Sequence, residues 1–212
     1  WKFSTFAGIT NSFGSINDLY NGFILLSAKN LSAKNTDIQQ TKSNFVGSRL
    51  EYRNPLNNIF FNVSYNFNDR TSNITYLNKL NVDSQQFILE GYNLENNSKT
   101  NSARTELGKY FPKLKTNASV GYNYSLSNYQ QLPANSTPTE SSFIDVEGRN
   151  QGVSVKFNNN YFSWLSVDYN ANWSFSKTQS PDDSDFNNQT NLFNHALSAY
   201  VYPFKNHTLG FT

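Results

Sequence analysis

The sequence of 212 residues predicts an all-β fold, a meander of about nine long antiparallel strands. Its clearest segment, Leu165–Ser176, reads Leu-Ser-Val-Asp-Tyr-Asn-Ala-Asn-Trp-Ser-Phe-Ser. Side chains of a strand point alternately to its two faces, so this segment has one apolar and one polar face. It is longer than the roughly 5–6 residues of an ordinary strand and fits the roughly 9–11 of a strand that crosses a bilayer.

The same period of two defines the other predicted strands. In chain order they are Trp1–Ile9, Val46–Arg53, Ile59–Asn68, Ser102–Phe111, Thr116–Leu126, Val153–Asn158, Leu197–Tyr202 and Leu209–Thr212. The alternation is less regular in Ser102–Phe111, where we expect Arg104 and Glu106 on the polar side. Helical periodicity is rare along the chain.

The connections between these segments are of two kinds. The short ones are Asn54–Asn57, Phe111–Lys113, Asn158–Asn160 and Pro203–Asn206, and their Pro and Asn residues are typical of tight turns. The long, polar ones are Asn11–Thr41, Asn78–Thr100, Gln130–Ser142 and Thr178–Thr190. Short and long connections alternate, as the periplasmic turns and extracellular loops of outer-membrane barrels do. We therefore predict an arc of a transmembrane β-barrel, with a soluble β-sandwich as the competing architecture.

Composition agrees with this prediction and excludes several classes of protein. Aromatic residues make up 16% of the chain although its mean hydropathy is −0.63, and disordered polar chains are poor in aromatic residues. The net charge is +2 without a Lys/Arg cluster, so we expect no nucleic-acid partner. The longest apolar run, Phe23–Leu26, is far shorter than the roughly 18 residues of a transmembrane helix. Since cysteine is absent, a disulfide framework is excluded.

Residues that carry catalysis or bind metals are sparse. The two histidines are His195, near a predicted loop-to-strand boundary, and His207, after the turn at Pro203. Neither belongs to a metalloprotease or nucleophile-elbow pattern, so we expect no enzyme activity, no catalytic residue and no cofactor. Asp182–Asp185 offers carboxylate oxygens for a hard cation. It lacks the glycine and distal glutamate of an EF-hand loop, and we interpret it as a solvated loop tip.

Aromatic residues near both ends of the Leu165–Ser176 strand are the candidate functional side chains. Tyr161, Phe162 and Trp164 precede it at the short-turn end, and Trp173 and Phe175 lie towards its other end. Amphipathic rings settle at the headgroup level of membranes. We therefore predict that these five residues are membrane-interface anchors, the alternative being core packing in a sandwich.

Three aromatic-rich hairpins carry a family resemblance. They are Tyr52–Leu56 with Ile59–Tyr65, Gly108–Phe111 with Lys115–Thr116 and Val120–Gly121, and Trp164–Tyr169 with Trp173–Ser176. These hairpins resemble those of Bacteroidetes TonB-dependent receptors, an outer-membrane β-barrel family. The resemblance implies a barrel of about 22 strands closed by a plug. It also implies energy-coupled uptake of a nutrient ligand, contact with outer-membrane lipid, and coupling to the TonB complex through regions outside these residues.

Both ends of the sequence fall inside alternating segments. We therefore expect residues 1–212 to form one partial barrel domain that lacks the plug and N-terminal regions of a larger receptor. Two alternatives stay open. One is a secreted β-rich adhesin or glycan-binding domain whose aromatic rings stack on sugars, and the other is a small complete barrel.

Overall fold

A computed structural model describes residues 1–15, 22–27, 29–33, 36–81, 86–133, 137–181, 186–204 and 207–211. Its strands are β1 (Lys2–Phe13), β2 (Phe23–Ser27), β3 (Asn30–Ala33), β4 (Gln40–Asn54), β5 (Ile59–Ser72), β6 (Thr75–Asn81), β7 (Gln86–Tyr92), β8 (Asn96–Phe111), β9 (Thr116–Gln131), β10 (Ile144–Phe162), β11 (Leu165–Gln179), β12 (Asn188–Val201) and β13 (Leu209–Phe211). Two short 3-10 turns, Pro112–Leu114 and Glu140–Ser142, complete the described elements. No helix among the described residues is long and apolar enough to span a membrane.

The main sheet has nine strands in the order β1-β4-β5-β8-β9-β10-β11-β12-β13, and each neighbouring pair is antiparallel. The predicted all-β antiparallel meander is confirmed. Within the described part of the chain the sheet is open, because β1 and β13 form its two edges and do not pair with each other. Leu165–Ser176 lies in β11 and pairs along its length with β10 and β12.

Short and long connections alternate along this sheet, as predicted. The strand ends that are joined by the short ones, 55–58, 112–115, 163–164 and 202–208, lie at one end, which we call the turn end. The strand ends that are joined by the long ones, 14–39, 73–95, 132–143 and 180–187, lie at the opposite end, which we call the loop end.

The predicted turn at Asn158–Asn160 is wrong, because these residues lie inside β10 and the chain reverses at 163–164. Asn158 pairs with Asp168, and the register shifts between Asn159 and Phe162. The Asn159 amide donates hydrogen bonds to Oγ1 of Thr116 at 2.6 Å and to the Leu114 carbonyl at 3.0 Å. This asparagine therefore ties two neighbouring turns together instead of forming one itself.

Two stretches that the sequence assigned to polar loops contain strands. Within Asn11–Thr41 and around Asn78–Thr100 lie β2, β3, β6 and β7, which form a second sheet in the order β2-β3-β7-β6. Its β3–β7 pair is parallel. Ile74, which directly precedes β6, is 1% exposed, and Leu77, within β6, is 3% exposed. The loop end therefore has a small core of its own.

The register of the main sheet sorts its side chains onto two faces. On the first, which we call the apolar face, one row across the strands is Phe3, Leu50, Val63, Thr105, Tyr122, Val153, Trp173 and Phe193. On the second, the polar face, the adjacent row is Ser4, Arg49, Ser64, Arg104, Asn123, Gly152, Ser174 and Leu192. The predicted placement of Arg104 and Glu106 on the polar side is confirmed.

Candidate functional site

The apolar face is exposed in the middle of the sheet. Leu107, Val120 and Phe193 are 53%, 51% and 59% exposed. Leu107 and Val120 are directly paired on neighbouring strands. The buried apolar residues in the described part of the chain are Ile74, Leu77, Leu132 and Val146, which lie at the loop end. A contiguous exposed apolar surface of this kind marks a contact with a partner or a membrane.

Three of the five predicted anchors lie together at the turn end. The Tyr161 and Phe162 rings are 5.0 Å apart in an edge-to-face arrangement. The Phe162 and Trp164 rings are 5.5 Å apart. All three side chains are about half exposed. The hairpin between β10 and β11 brings them together because it reverses directly at Trp164.

The other two predicted anchors lie on the apolar face of β11, away from this cluster. Trp173 pairs with Val153 on one side and Phe193 on the other, and its indole N–H donates to the Asn191 side-chain oxygen. Phe175 is half-buried. About 30 Å of strand separates Trp173 from Trp164 at the usual rise per residue. The five residues therefore form two groups rather than one site.

Sequence reasoning missed further large side chains at the turn end. Leu56 is 92% exposed in the β4–β5 turn, and Phe111, Tyr202 and Phe204 are exposed at the ends of β8 and β12. The Trp1 and Tyr52 rings lie 4.4 Å apart near the same end. Each of the four turns thus carries an exposed large apolar or aromatic residue. Their position beside Pro or Asn turn residues is the signal that would have found them.

The polar face carries ion pairs on β4 and β8. Nε of Arg49 lies 2.8 Å from the Glu51 carboxylate. Arg104 and Glu106 are 4.0 Å apart, as are Arg53 and Glu51. The arginine side chains stay largely exposed, so these ion pairs add little stability.

Further along the polar face an open groove of about 520 Å³ crosses β8 to β12. Its cationic lining residues are Arg104 and Lys156. Its amide lining residues are Asn123, Asn170, Asn172 and Asn194. Gly121 and Ser154, which pair with each other, form its floor, and a Cβ on Gly121 would lie 2.7 Å from Oγ of Ser154. The absence of a side chain at Gly121 keeps the groove open.

On the same face, phenylalanine rings lie across glycines of the neighbouring strand. Phe45 covers Gly8, Phe6 covers Gly47, and a side chain at Gly108 would collide with the Phe60 ring. A ring packed over a strand glycine shields the exposed backbone and fixes the register of the two strands. These pairs hold β1, β4, β5 and β8 in place.

At the loop end, Lys79, Glu90 and Tyr92 form a charged cluster between β6 and β7. Nζ of Lys79 lies 2.8 Å from the Glu90 carboxylate and 2.8 Å from the Tyr92 hydroxyl, which also donates to Glu90. The hydrogen bond to Glu90 raises the pKa of Lys79. Burial opposes ionisation of Glu90, but the contacts with Lys79 and Tyr92 outweigh it and lower its pKa. Burial, with the bond to Glu90, raises the pKa of Tyr92. The cluster is a structural clamp between two strands.

The histidines and acidic residues form no evident centre. His195 lies within β12 opposite Ala171, so its predicted place near a loop boundary is wrong, because β12 begins at Asn188. His207 stacks edge-on against Phe204 at 6.2 Å. Asp182–Asp185 lies outside the described residues. Among the described residues, no three His, Asp or Glu side chains are grouped to hold a metal ion.

No protein-family model and no curated protein matches this sequence. Function is therefore inferred from the two faces of the sheet and from the residues at its two ends.

Proposed function

We propose that this chain supplies wall strands and surface loops of an outer-membrane transport barrel of the TonB-dependent receptor class. The observation that carries the proposal is the apolar face, which is continuous across the paired strands and uncovered in the middle of the sheet. A soluble β-sandwich buries this face against a second sheet. A barrel wall turns it to lipid.

The height of the apolar face supports a membrane span. On β9 its side chains run from Thr116 to Leu126. At a rise of about 3.4 Å per residue this is about 34 Å of strand, or about 26 Å along the membrane normal at a tilt of about 40°. Outer-membrane barrels have an apolar band of about 25 Å. The antiparallel ladder also provides hydrogen-bond partners for the backbone N–H and C=O groups, which lipid cannot provide.

The two ends of the sheet support an orientation. In outer-membrane barrels short turns face the periplasm and long connections face the outside. The turn end, with Tyr161, Phe162 and Trp164, is then the periplasmic boundary, where amphipathic rings sit at headgroup level. Trp173 and Phe175 anchor the opposite boundary. The small sheet lies outside the cell, above the barrel mouth.

In this role the protein contributes no catalytic group. The polar face lines the passage, and its amides, hydroxyls and charges remain hydrated or contact a plug. Among the described residues the outer edges of β1 and β13 have no strand partner, and we expect further strands to pair there and complete the wall, since an open edge in lipid leaves backbone groups unsatisfied. Coupling to the TonB complex and uptake of a nutrient are properties of the complete receptor.

A secreted glycan-binding adhesin is the second candidate, favoured by the amide-lined groove on the polar face. Membrane fractionation separates the two. We expect the protein to stay with the outer-membrane fraction after an alkaline carbonate wash and to require detergent for extraction. Recovery in the soluble fraction without detergent would overturn the barrel proposal and favour the adhesin.

A further inference from the structure

We infer that the turn end of the main sheet binds the headgroup phosphates of anionic phospholipids. The surface that binds them consists of Lys109, near the end of β8, and of Lys113 and Lys115, in the connection that follows. We call residues 109–115 the lysine turn. The inference names a lipid class for one membrane boundary of the barrel wall, and in that respect it rests on the proposed function.

Positive charge at the turn end is not balanced by carboxylates. The four short connections contain Lys113, Lys115 and Lys205 and neither Asp nor Glu, whereas the long connections contain most of the 15 acidic residues of the chain. The three side chains of the lysine turn are exposed. None of them forms an ion pair with another described residue. Their ammonium groups are therefore available to anions from outside the protein.

Lys109 lies on the apolar face, at its boundary. Its paired neighbours on β5 and β9 are uncharged, and its ammonium nitrogen lies 5.2 Å from the centre of the Phe111 ring. On the same face of β8, Lys99 lies at the loop end, where it is paired with Asp69. Between the two lysines lie about 34 Å of strand, or about 26 Å along the membrane normal at a tilt of about 40°. Lysine side chains at the ends of a membrane span extend to the headgroups.

The lysine turn is held in one conformation by the neighbouring strand β10. The Asn159 amide donates to the Leu114 carbonyl at 3.0 Å, and the Asn160 N–H donates to the Lys115 carbonyl at 3.0 Å. Lys115 has a φ of 45°, in the left-handed region that glycine and asparagine adopt more readily. Strained backbone of this kind is typical of functional positions. The backbone that carries Lys113 and Lys115 is therefore ordered before a lipid binds.

Apolar side chains beside the lysines favour a lipid over a soluble phosphate. Leu114, in the middle of the lysine turn, is 56% exposed. Tyr161, Phe162 and Trp164 of the next hairpin are each about half exposed. Such side chains insert at the boundary between headgroups and acyl chains, while ammonium groups attract the anionic headgroups. A soluble phosphate would leave these apolar groups without a partner.

The test uses Trp164 to report which lipids lie at the turn end. Trp1→Phe and Trp173→Phe leave it as the one tryptophan of the chain. The protein is refolded into phosphatidylcholine vesicles that contain a minor fraction of phosphatidylglycerol or phosphatidylcholine with brominated acyl chains, and quenching of Trp164 measures the binding of each lipid. We expect phosphatidylglycerol to bind about fivefold more strongly, the usual effect of one lysine beside an anionic surface. The preference should disappear at about 1 M salt, where the Debye length is about 3 Å.

Two variants that lose the same charge separate the lysine turn from a general effect of charge. The first combines Lys109→Gln, Lys113→Gln and Lys115→Asn. It should bind the two lipids equally, and asparagine at position 115 accepts the left-handed backbone, so the turn still forms. The control removes three exposed lysines of the same face at the loop end, as Lys42→Gln, Lys99→Gln and Lys177→Gln. The control should keep the fivefold preference at Trp164.

Equal quenching by the two brominated lipids in the parent protein overturns the inference, as does an equal loss of preference in the control. Such a protein is still quenched by lipid, so it keeps the membrane assignment and loses the lipid class. Failure of the barrel proposal has a different result, because Trp164 is then quenched by neither lipid and the protein fractionates as soluble. That result overturns both proposals.

Discussion

A positive charge placed on the apolar face distinguishes a lipid-facing wall from a soluble sheet. Val120 is paired with Leu107 and Val155 and is 51% exposed. On β9 the apolar band runs from Thr116 to Leu126. Measured along the membrane normal, at the usual rise and a tilt of about 40°, Val120 lies about 10 Å from the Thr116 boundary and about 16 Å from the Leu126 boundary. Val120→Arg therefore places its guanidinium close to the bilayer midplane.

In a membrane wall this substitution should cost about 2–4 kcal/mol, the value for arginine at the midplane of a barrel. In a soluble sheet an arginine at an already half-exposed position should change stability by no more than about 0.5 kcal/mol. The measurement is a guanidinium titration of the protein refolded in lipid vesicles, followed by tryptophan fluorescence.

Asn117→Arg, on the exposed polar face of the same strand, is the matched control and should cost little stability. Leu56→Arg, in a turn, should cost about 0–1 kcal/mol. Equal, small effects of V120R and N117R would refute the reasoning.

Two further predictions concern the register of the main sheet and the clamp of the small one. Gly108→Ala displaces the Phe60 ring and should destabilise β5–β8 pairing by about 1–3 kcal/mol, seen as faster amide exchange in β5. Gly148→Ala, whose Cβ meets only ordinary contacts, should be near neutral, and equal exchange in both variants would contradict the packing argument. Because the pKa of Glu90 is lowered in the folded protein, the stability that its carboxylate gives the small sheet is fully present above pH 4.5. This stability is lost as the pH falls through the folded-state pKa. Protease cleavage between β6 and β7 should therefore rise below pH 4.5 in the parent protein but change little in Lys79→Met, and an identical rise in both would contradict the clamp.

The main sheet could be predicted because its information is local. Alternation along Leu165–Ser176 specifies two faces without reference to any other strand, and the lengths of the connections specify the order of neighbours. The sequence therefore predicted about nine strands, the alternation of turns and loops, and the side on which Arg104 lies. The turn predicted at Asn158–Asn160 was wrong because asparagine, although common in turns, also occurs within paired strands.

The small sheet was missed because its defining contact is not local. The parallel pairing of β3 with β7 joins Asn30 with Phe87, and no periodicity connects segments so far apart. Phe87-Ile88-Leu89 is a short apolar run of the kind that does not distinguish strand from helix. The groove was missed for the same reason. Arg104 and Lys156 belong to strands separated by β9, and only the strand register places both residues in the lining of one groove.

The central claim, that the apolar face meets lipid, is tested most directly by cysteine labelling along β9. The sequence contains no cysteine, so each introduced thiol reports on its own position. The scan covers Asn117, Ala118, Ser119, Val120, Gly121, Tyr122 and Asn123 in protein embedded in outer membranes, with a membrane-impermeant maleimide as the probe. We predict a period of two, with rapid labelling at 117, 119, 121 and 123 and protection at 118, 120 and 122. Uniform labelling of both faces, or protection of the polar face alone, would contradict the account.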